Sequence, residues 1–288
     1  MKYKTSVALG FFDGVHQGHR MVVQEAVKHS ENPSIFSFNL GGIALESKGI
    51  IKQILSDEVR MQMLKTLKAK VVIVPFSDIS QLSPYEFVTE MLKKKLNTES
   101  VFCGASYRFG KSAQGNVTLL KELCKKENIA VHIIPAVVFD GDVVSSTSIR
   151  NHLLWGEIEK ANELLGYNYF VESEVIRGKK IGRMLNTPTI NQSYYDYQLI
   201  PKYGVYASKV YIDGKEYSGA TNIGIRPTIG DMSVPSCETH IIDYDNDVYG
   251  KIAKVVLYKY IRGEKYFNNH EALQQQIKID IINIKKSL

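Results

Sequence analysis

The chain has 288 residues, 44% of them hydrophobic and 23% charged, a size and balance that suit two compact globular domains able to bury real cores. Its net charge of +6 suits anionic partners such as nucleotides, phosphates or nucleic acid without choosing among them. Cys103, Cys124 and Cys237 lie far apart without a C-x-x-C pair, Met1–Leu9 is too short and polar for a signal peptide, and no window approaches about 18 uncharged apolar residues. These features exclude a disulfide scaffold, a structural zinc site and a membrane span, and they imply a cytoplasmic protein.

Short apolar runs alternate with helical patterns through the first half. Residues 7–9, 35–38, 71–74, 101–103 and 131–134 read as buried strands, with helices near 19–29, 56–68, 84–95 and 116–127. The third helix has a clear start: Ser83 caps it, Pro84 suits its first turn and Glu86 completes a capping box. This alternation predicts βαβ units and a doubly wound, Rossmann-like parallel sheet covered on both faces. A helical stretch from Ser146 to Leu165, broken at Gly156, ends at Gly166, which places the domain boundary there: residues 1–166 and 167–288. Beyond it, strand-like segments near 169–176, 204–212, 217–223, 237–243 and 253–260 are separated by turns such as Asp213-Gly214. They predict an antiparallel barrel. Leu273, Ile277, Ile281 and Ile284 form one apolar face of a closing helix.

The run Gly10-Phe11-Phe12-Asp13-Gly14-Val15-His16-Gln17-Gly18-His19 follows the first strand and opens the first helix. Such a turn lies at the carboxyl edge of the sheet, where ligands bind. Gly14 and Gly18 allow close backbone approach to a phosphate, and the helix N-terminus offers N–H groups and partial positive charge. His16 and His19 can donate to a triphosphate and stabilise charge at an α-phosphorus under attack. No G-K-[ST] follows, so this is no Walker A loop, and no Cys or His cluster makes it a zinc site. Further on, Ser145-Ser146-Thr147 precede a helix that carries Arg150, a charge suited to a departing pyrophosphate.

The H-x-G-H turn and the Ser145–Arg150 run resemble the nucleotidyltransferase superfamily. With Tyr107-Arg108-Phe109-Gly110-Lys111 they are similar to the adenylyltransferase domain of bacterial FAD synthetases. The resemblance implies transfer of AMP from ATP to FMN with Mg²⁺. It places ATP contacts at Gly10, Phe11, Asp13, Gly14, Gly18, Ser145, Ser146 and Thr147, and flavin contacts at Tyr107 and Phe109. Two segments depart from the family: Asn39-Leu40-Gly41-Gly42 replaces its usual Asp-Pro-His-Pro, and Ser106 replaces an acid.

The segment Gly182-Arg183-Met184-Leu185-Asn186-Thr187-Pro188-Thr189-Ile190-Asn191 resembles the riboflavin kinase signature. Thr189 and Asn191 offer hard oxygen ligands for Mg²⁺ on ATP phosphates, with Gly182 and Arg183 beside those phosphates. The resemblance gives Glu238, taken to begin a strand, the role of general base toward the riboflavin 5′-hydroxyl, and reads His240 as structural. It also implies flavin contacts at Gly204, Tyr206, Arg226 and Arg262, with Gly263 where the family carries an acid. The expected protein converts riboflavin to FMN and FMN to FAD with ATP, without nucleic-acid or membrane partners; the sequence sets no oligomeric state. Two other readings stay open: a kinase with an impaired or specialised first domain, and a regulator that binds flavin or RNA.

Overall fold

The computed structural model describes residues 5–40, 52–177, 188–227, 233–244 and 246–288. The chain divides into two compact units, Met1–Ser146 and Thr147–Leu288.

In the first unit, β1 (Thr5–Leu9), β2 (Pro33–Asn39), β3 (Lys70–Pro75), β4 (Thr98–Gly104) and β5 (Ala130–Ile134) form a parallel sheet in the order β3-β2-β1-β4-β5. The crossovers carry α1 (Gln17–His29), α2 (Asp57–Lys65), α3 (Pro84–Glu86) and α4 (Val117–Lys126). The α3 turn has the predicted Ser83–Glu86 capping box and runs straight into a π-helical Phe87–Lys95. Val7, Leu9, Phe36 and Val101 from the central strands pack with Phe87, Val88, Leu92 and Leu120 from the helices, which is why these strands read as unbroken apolar runs. Chain direction across the sheet reverses at β1, so the loops after β1 and β4 diverge and leave a crevice at their carboxyl ends. A small hairpin, β6 (Val138–Phe139) and β7 (Asp142–Val143), follows the sheet. It is too short to show a period in the sequence.

The stretch read as one broken helix is two, α5 (Ser146–Trp155) and α6 (Ile158–Leu165), parted at Gly156 with φ 80°. The contact division falls earlier than residue 166 because α6 packs on the barrel. Asn162 donates to the Leu257 carbonyl at 3.0 Å and accepts from the Tyr169 N–H at 2.7 Å.

The second unit contains β8 (Phe170–Glu174), β9 (Thr189–Ser193), β10 (Gly204–Ile212), β11 (Lys215–Pro227), β12 (Ser233–Ile241) and β13 (Ile252–Arg262). They form an antiparallel sheet in the order β8-β13-β10-β11-β12-β9. The outer strands approach through a bridge between Ile176 and Asn191, which nearly closes the barrel. Inside, a hydroxyl ladder joins Ser208 to Thr221 at 2.7 Å and Thr221 to Thr239 at 2.8 Å. Outside, α7 (His270–Ser287) lays Ile281 and Ile284 on Val205, Ala207 and Ala220.

Two local expectations change. Thr189–Asn191, read as the end of a phosphate motif, falls in an edge strand, Thr189–Ser193, whose polar composition hides its alternation. Glu238 lies well inside β12 rather than at a strand start, because pairing of Val234 and Pro235 with Arg226 and Ile225 extends the strand backwards. Among the described residues no helix is long and apolar enough to cross a membrane.

Candidate active sites

Beyond β1 the backbone takes positive φ at Phe12 (59°), Gly14 (79°) and Val15 (40°), and the chain turns tightly into α1. His16 is the N-cap: its Nδ1 accepts from the His19 N–H at 3.3 Å. A cap acceptor carries no proton at Nδ1, so the neutral ring of His16 carries its proton on Nε2, as a donor. The His16 and His19 rings stack with centroids 3.5 Å apart. Gly18 permits this, since a Cβ there would stand 3.2 Å from His16 Cε1.

Asp13 faces inward and is 3% exposed, and its Oδ1 accepts from the Ile54 N–H at 2.9 Å. It fastens the turn. Ser146 Oγ donates to the Asp13 carbonyl at 2.9 Å, bringing the start of α5 to the same turn. Ser145 precedes it, half-buried. Thr147 and Arg150 follow in the first two turns of α5, within the second unit.

Arg60 was invisible as a site residue in the sequence. It is fully buried and donates to the carbonyls of Phe11 (2.7 Å) and Phe38 (2.9 Å), to Ser37 Oγ (2.9 Å) and to Asp57 (2.8 Å). Its guanidinium also lies 4.3 Å from the centroid of Phe11. It therefore ties the turn after β1 to the end of β2. The one available signal was its place four residues before buried Leu64, on the apolar side of α2.

Beside this turn a cavity of about 250 Å³ opens among Gly10, Phe38, Phe76, Tyr107, Arg108 and Phe109. The residues come from the ends of β1 and β2 and the loops after β3 and β4. Its aromatic walls suit a flat ring system. Tyr107 and Phe109, both expected to meet flavin, lie here together. Of the two departures, Ser106 is exposed, Leu40 is buried, and Gly41 and Gly42 lie outside the described residues. Burial pushes the thiols of Cys103 and Cys124 up to about 12, so neither is a nucleophile at neutral pH.

The second site is written in strand register. Asn191 on β9 stands opposite Glu238 on β12, Glu238 opposite Asn222 on β11, Asn222 opposite Val205 on β10, and Val205 opposite Arg262 on β13. Directly paired residues share a face, so the row presents its polar groups on the side covered by α7. The next row along contains Thr189, His240 and Ala220. Between these rows and α7 lies a cavity of about 410 Å³, lined by Thr189, Asn222, Glu238, His240 and Arg262, with Leu273 and Ile277 from the helix. Thr189 and Asn191 project together because alternate residues of a strand share a side. This donor set, a hydroxyl and an amide oxygen next to a carboxylate, fits a hard divalent cation. No group of three His, Cys, Asp or Glu among the described residues offers a competing metal site.

Arg262 lines the cavity, but its Nε and Nη2 are engaged by Asp280 of α7 at 3.0 and 2.6 Å, and its Nη1 donates to the Gly263 carbonyl at 2.9 Å. Gln276 Nε2 supplies a further bond to Asp280 at 2.9 Å. These contacts pin the helix over the site. Tyr206 is fully buried on the opposite face, with its hydroxyl on the Lys202 carbonyl, and Gly204 (φ 144°) touches the Arg262 backbone. Neither lines the cavity. Gly182, Arg183 and the side chain of Arg226 lie outside the described residues. Asn222 and Asp280 were not singled out in the sequence; strand pairing reveals the first and the ion pair the second.

Comparison with known proteins matches each half of the chain to a different family. Residues 1–148 match the family model described as FAD synthetase, and residues 165–288 match that of riboflavin kinase. The bifunctional riboflavin kinase/FMN adenylyltransferase of Listeria monocytogenes is 33% identical, covering 95% of this chain and 89% of its own. The protein of the same name from Bacillus subtilis is 32% identical, covering 96% and 90%. A solved structure described as a macrolide-efflux protein from Streptococcus pneumoniae superposes with a TM-score of 0.85 at 27% identity, over 99% of this chain and 95% of that one.

Proposed function

The chain belongs to the family of bifunctional riboflavin kinase/FMN adenylyltransferases, and from that membership we propose how its residues divide two reactions. The enzyme phosphorylates riboflavin to FMN with ATP, then joins FMN to AMP from a second ATP, releasing pyrophosphate. Both halves match over nearly their full length, which disfavours the readings as a kinase with an impaired first domain or as a binding regulator.

In the kinase reaction, the Glu238 carboxylate takes the proton of the riboflavin 5′-hydroxyl. The freed oxygen attacks the γ-phosphorus, the bond to the β-phosphate oxygen breaks, and ADP departs. Thr189 and Asn191 would hold the Mg²⁺ that accompanies ATP, and the bound ion would neutralise phosphate charge. Gly182 and Arg183 serve the phosphates, and Arg226 the flavin, on the strength of the family resemblance alone. Arg262 acts through Asp280, keeping α7 in place, while Gly204 and Tyr206 frame the strand.

In the adenylyl transfer, a phosphate oxygen of FMN attacks the α-phosphorus of ATP and the α–β bridge breaks. His16 through Nε2, and His19 beside it, donate to the phosphates, which approach over Gly10, Phe11, Gly14 and Gly18 at the positive end of α1. Ser145, Ser146, Thr147 and Arg150 receive the pyrophosphate. The aromatic cavity with Tyr107 and Phe109 receives the flavin ring.

The observation that carries this reading is the cross-strand pair Glu238–Asn222 lining one cavity with Thr189, with Asn191 held opposite Glu238 by strand register. Its test is chromatography of the products from riboflavin, ATP and Mg²⁺. The wild type should accumulate FAD, His19→Ala should stop at FMN, and Glu238→Gln should leave riboflavin unchanged while still converting added FMN to FAD. FMN production by Glu238→Gln at the wild-type rate would remove Glu238 from the mechanism.

A further inference from the structure

The edge strand β9 has a weakness at the end where its chemistry lies. Its last ladder partnership on that side is Thr189 with His240, and the residue before it is Pro188. Proline has no N–H, so the ladder cannot extend past Thr189 through that residue's amide. As a terminal strand of five residues, β9 is also held by a neighbour on one side for most of its length. Thr189, a proposed phosphate and metal ligand, thus stands at the point where the strand would fray.

His240 supplies the missing tie. Its Nδ1 lies 2.9 Å from the Pro188 carbonyl oxygen. A carbonyl only accepts, so Nδ1 carries the proton and donates it. The ring has room there because its other cross-strand neighbour is the small Ala220. His240 lines the same cavity as Thr189 and Glu238.

We propose that His240 is a positioning residue of the kinase reaction: by donating Nδ1–H to the Pro188 carbonyl it fixes the start of β9, and with it the Thr189 hydroxyl, at the phosphate end of the site. This rests on the kinase reading of the same cavity. It does not require His240 to touch a substrate.

The test compares the full-length enzyme with His240→Leu and His240→Asn, which are close in shape but differ in whether an amide N–H can replace Nδ1–H. Initial rates of FMN formation are measured against Mg-ATP and against riboflavin, with thermal unfolding recorded for each protein. In His240→Leu the KM for Mg-ATP should rise about tenfold, the size of one lost hydrogen bond, while the KM for riboflavin stays within about twofold. His240→Asn should restore most of the loss. If His240→Leu fails to fold, His240→Met, which also carries no donor, takes its place and should show the same rise. An unchanged KM for Mg-ATP in the folded non-donor variant overturns the proposal. So does an equal fall of kcat in Leu and Asn with both KM values unchanged, which would mean that the ring itself takes part in the chemistry. A wild type that makes no FMN would instead bring down the kinase reading, an outcome distinct from either.

Discussion

In the parallel sheet the reactive groups stand beyond the strands, on a turn where Phe12, Gly14 and Val15 leave the usual backbone regions. In the barrel they stand on the strands themselves, where Asn191, Glu238 and Asn222 face one way because their backbones are paired. The first arrangement depends on a few local contacts: the His16 cap, the Asp13 bond to Ile54 and the Arg60 bonds to Phe11 and Phe38. The second depends on register across several strands and on α7 being held above them by Arg262 and Asp280. A turn site should therefore fail locally, and a ladder site should fail with its sheet.

The sharpest division is chemical. Glu238→Gln keeps the shape and the pairing of β12 but removes the base, so riboflavin phosphorylation should fall by about 10²–10⁴-fold. Adenylylation of supplied FMN should not change. In the other unit, His16→Asn keeps a side-chain acceptor for the cap and removes the Nε2 donor. Adenylyl transfer should drop by about 10²–10³-fold with little change in thermal midpoint, whereas His16→Ala should lose both rate and midpoint. If His16→Asn retains full adenylylation, the ring is only a cap, and the turn site has lost half its proposed chemistry.

The same contrast explains what the sequence could convey. The run from Gly10 to His19 is contiguous, so glycine spacing, histidine pair and helix start are visible together, and the five parallel strands announce themselves through buried runs such as Val7–Leu9. The barrel site is scattered from Thr189 to Asp280. Without register, Asn222 is one polar residue among many, and Asp280 interrupts the apolar face of a terminal helix for no evident reason. Resemblance to a known kinase supplied Thr189, Asn191 and Glu238, but not their geometry, and β9 was missed because Thr-Ile-Asn-Gln-Ser shows little strand propensity. Arg60 was hidden for a different reason: an Asp57–Arg60 pair at helical spacing reads as solvent-exposed, and only burial against Phe11 reveals it.

Stability variants sharpen the comparison further. Arg262→Met would leave Asp280, whose side chain is 5% exposed, without its cation. Removing one member of such a buried pair costs about 3–5 kcal/mol. Denaturant unfolding followed by loss of riboflavin phosphorylation should shift to match, and Arg262→Met with Asp280→Leu should recover much of it. Gly204→Ala comes next. Its φ of 144° is foreign to alanine and the new methyl would collide with the Arg262 carbonyl. Strain of that kind costs about 1–3 kcal/mol before any clash, and it should appear in the kinase activity while FMN adenylylation survives. Equal loss of both activities in either variant would show that the two units unfold together.

The smallest expected effect lies at the edge of the parallel sheet, away from the turn after β1. His132 on β5 stacks on Phe102 with centroids 4.5 Å apart and rings 7° from parallel, and His29 of α1 lies 4.9 Å away. Burial, and then the neighbouring His29, hold the His132 imidazole below its usual 6.5, and its Nε2 is buried without a hydrogen-bond partner. The unfolded chain therefore binds a proton at this position more readily than the folded one. The sign follows: stability is complete above about pH 6.5 and is lost as the pH falls through that value toward the lowered one. His132→Phe keeps a flat ring on Phe102 and removes the titration. Unfolding of the first unit, followed by FMN adenylylation after denaturant challenge, should then depend less on pH between 7 and 5 than in the wild type. An identical pH slope in both proteins would mean that the folded sheet accepts the proton at no cost, leaving the acid sensitivity of this unit to groups nearer the turn.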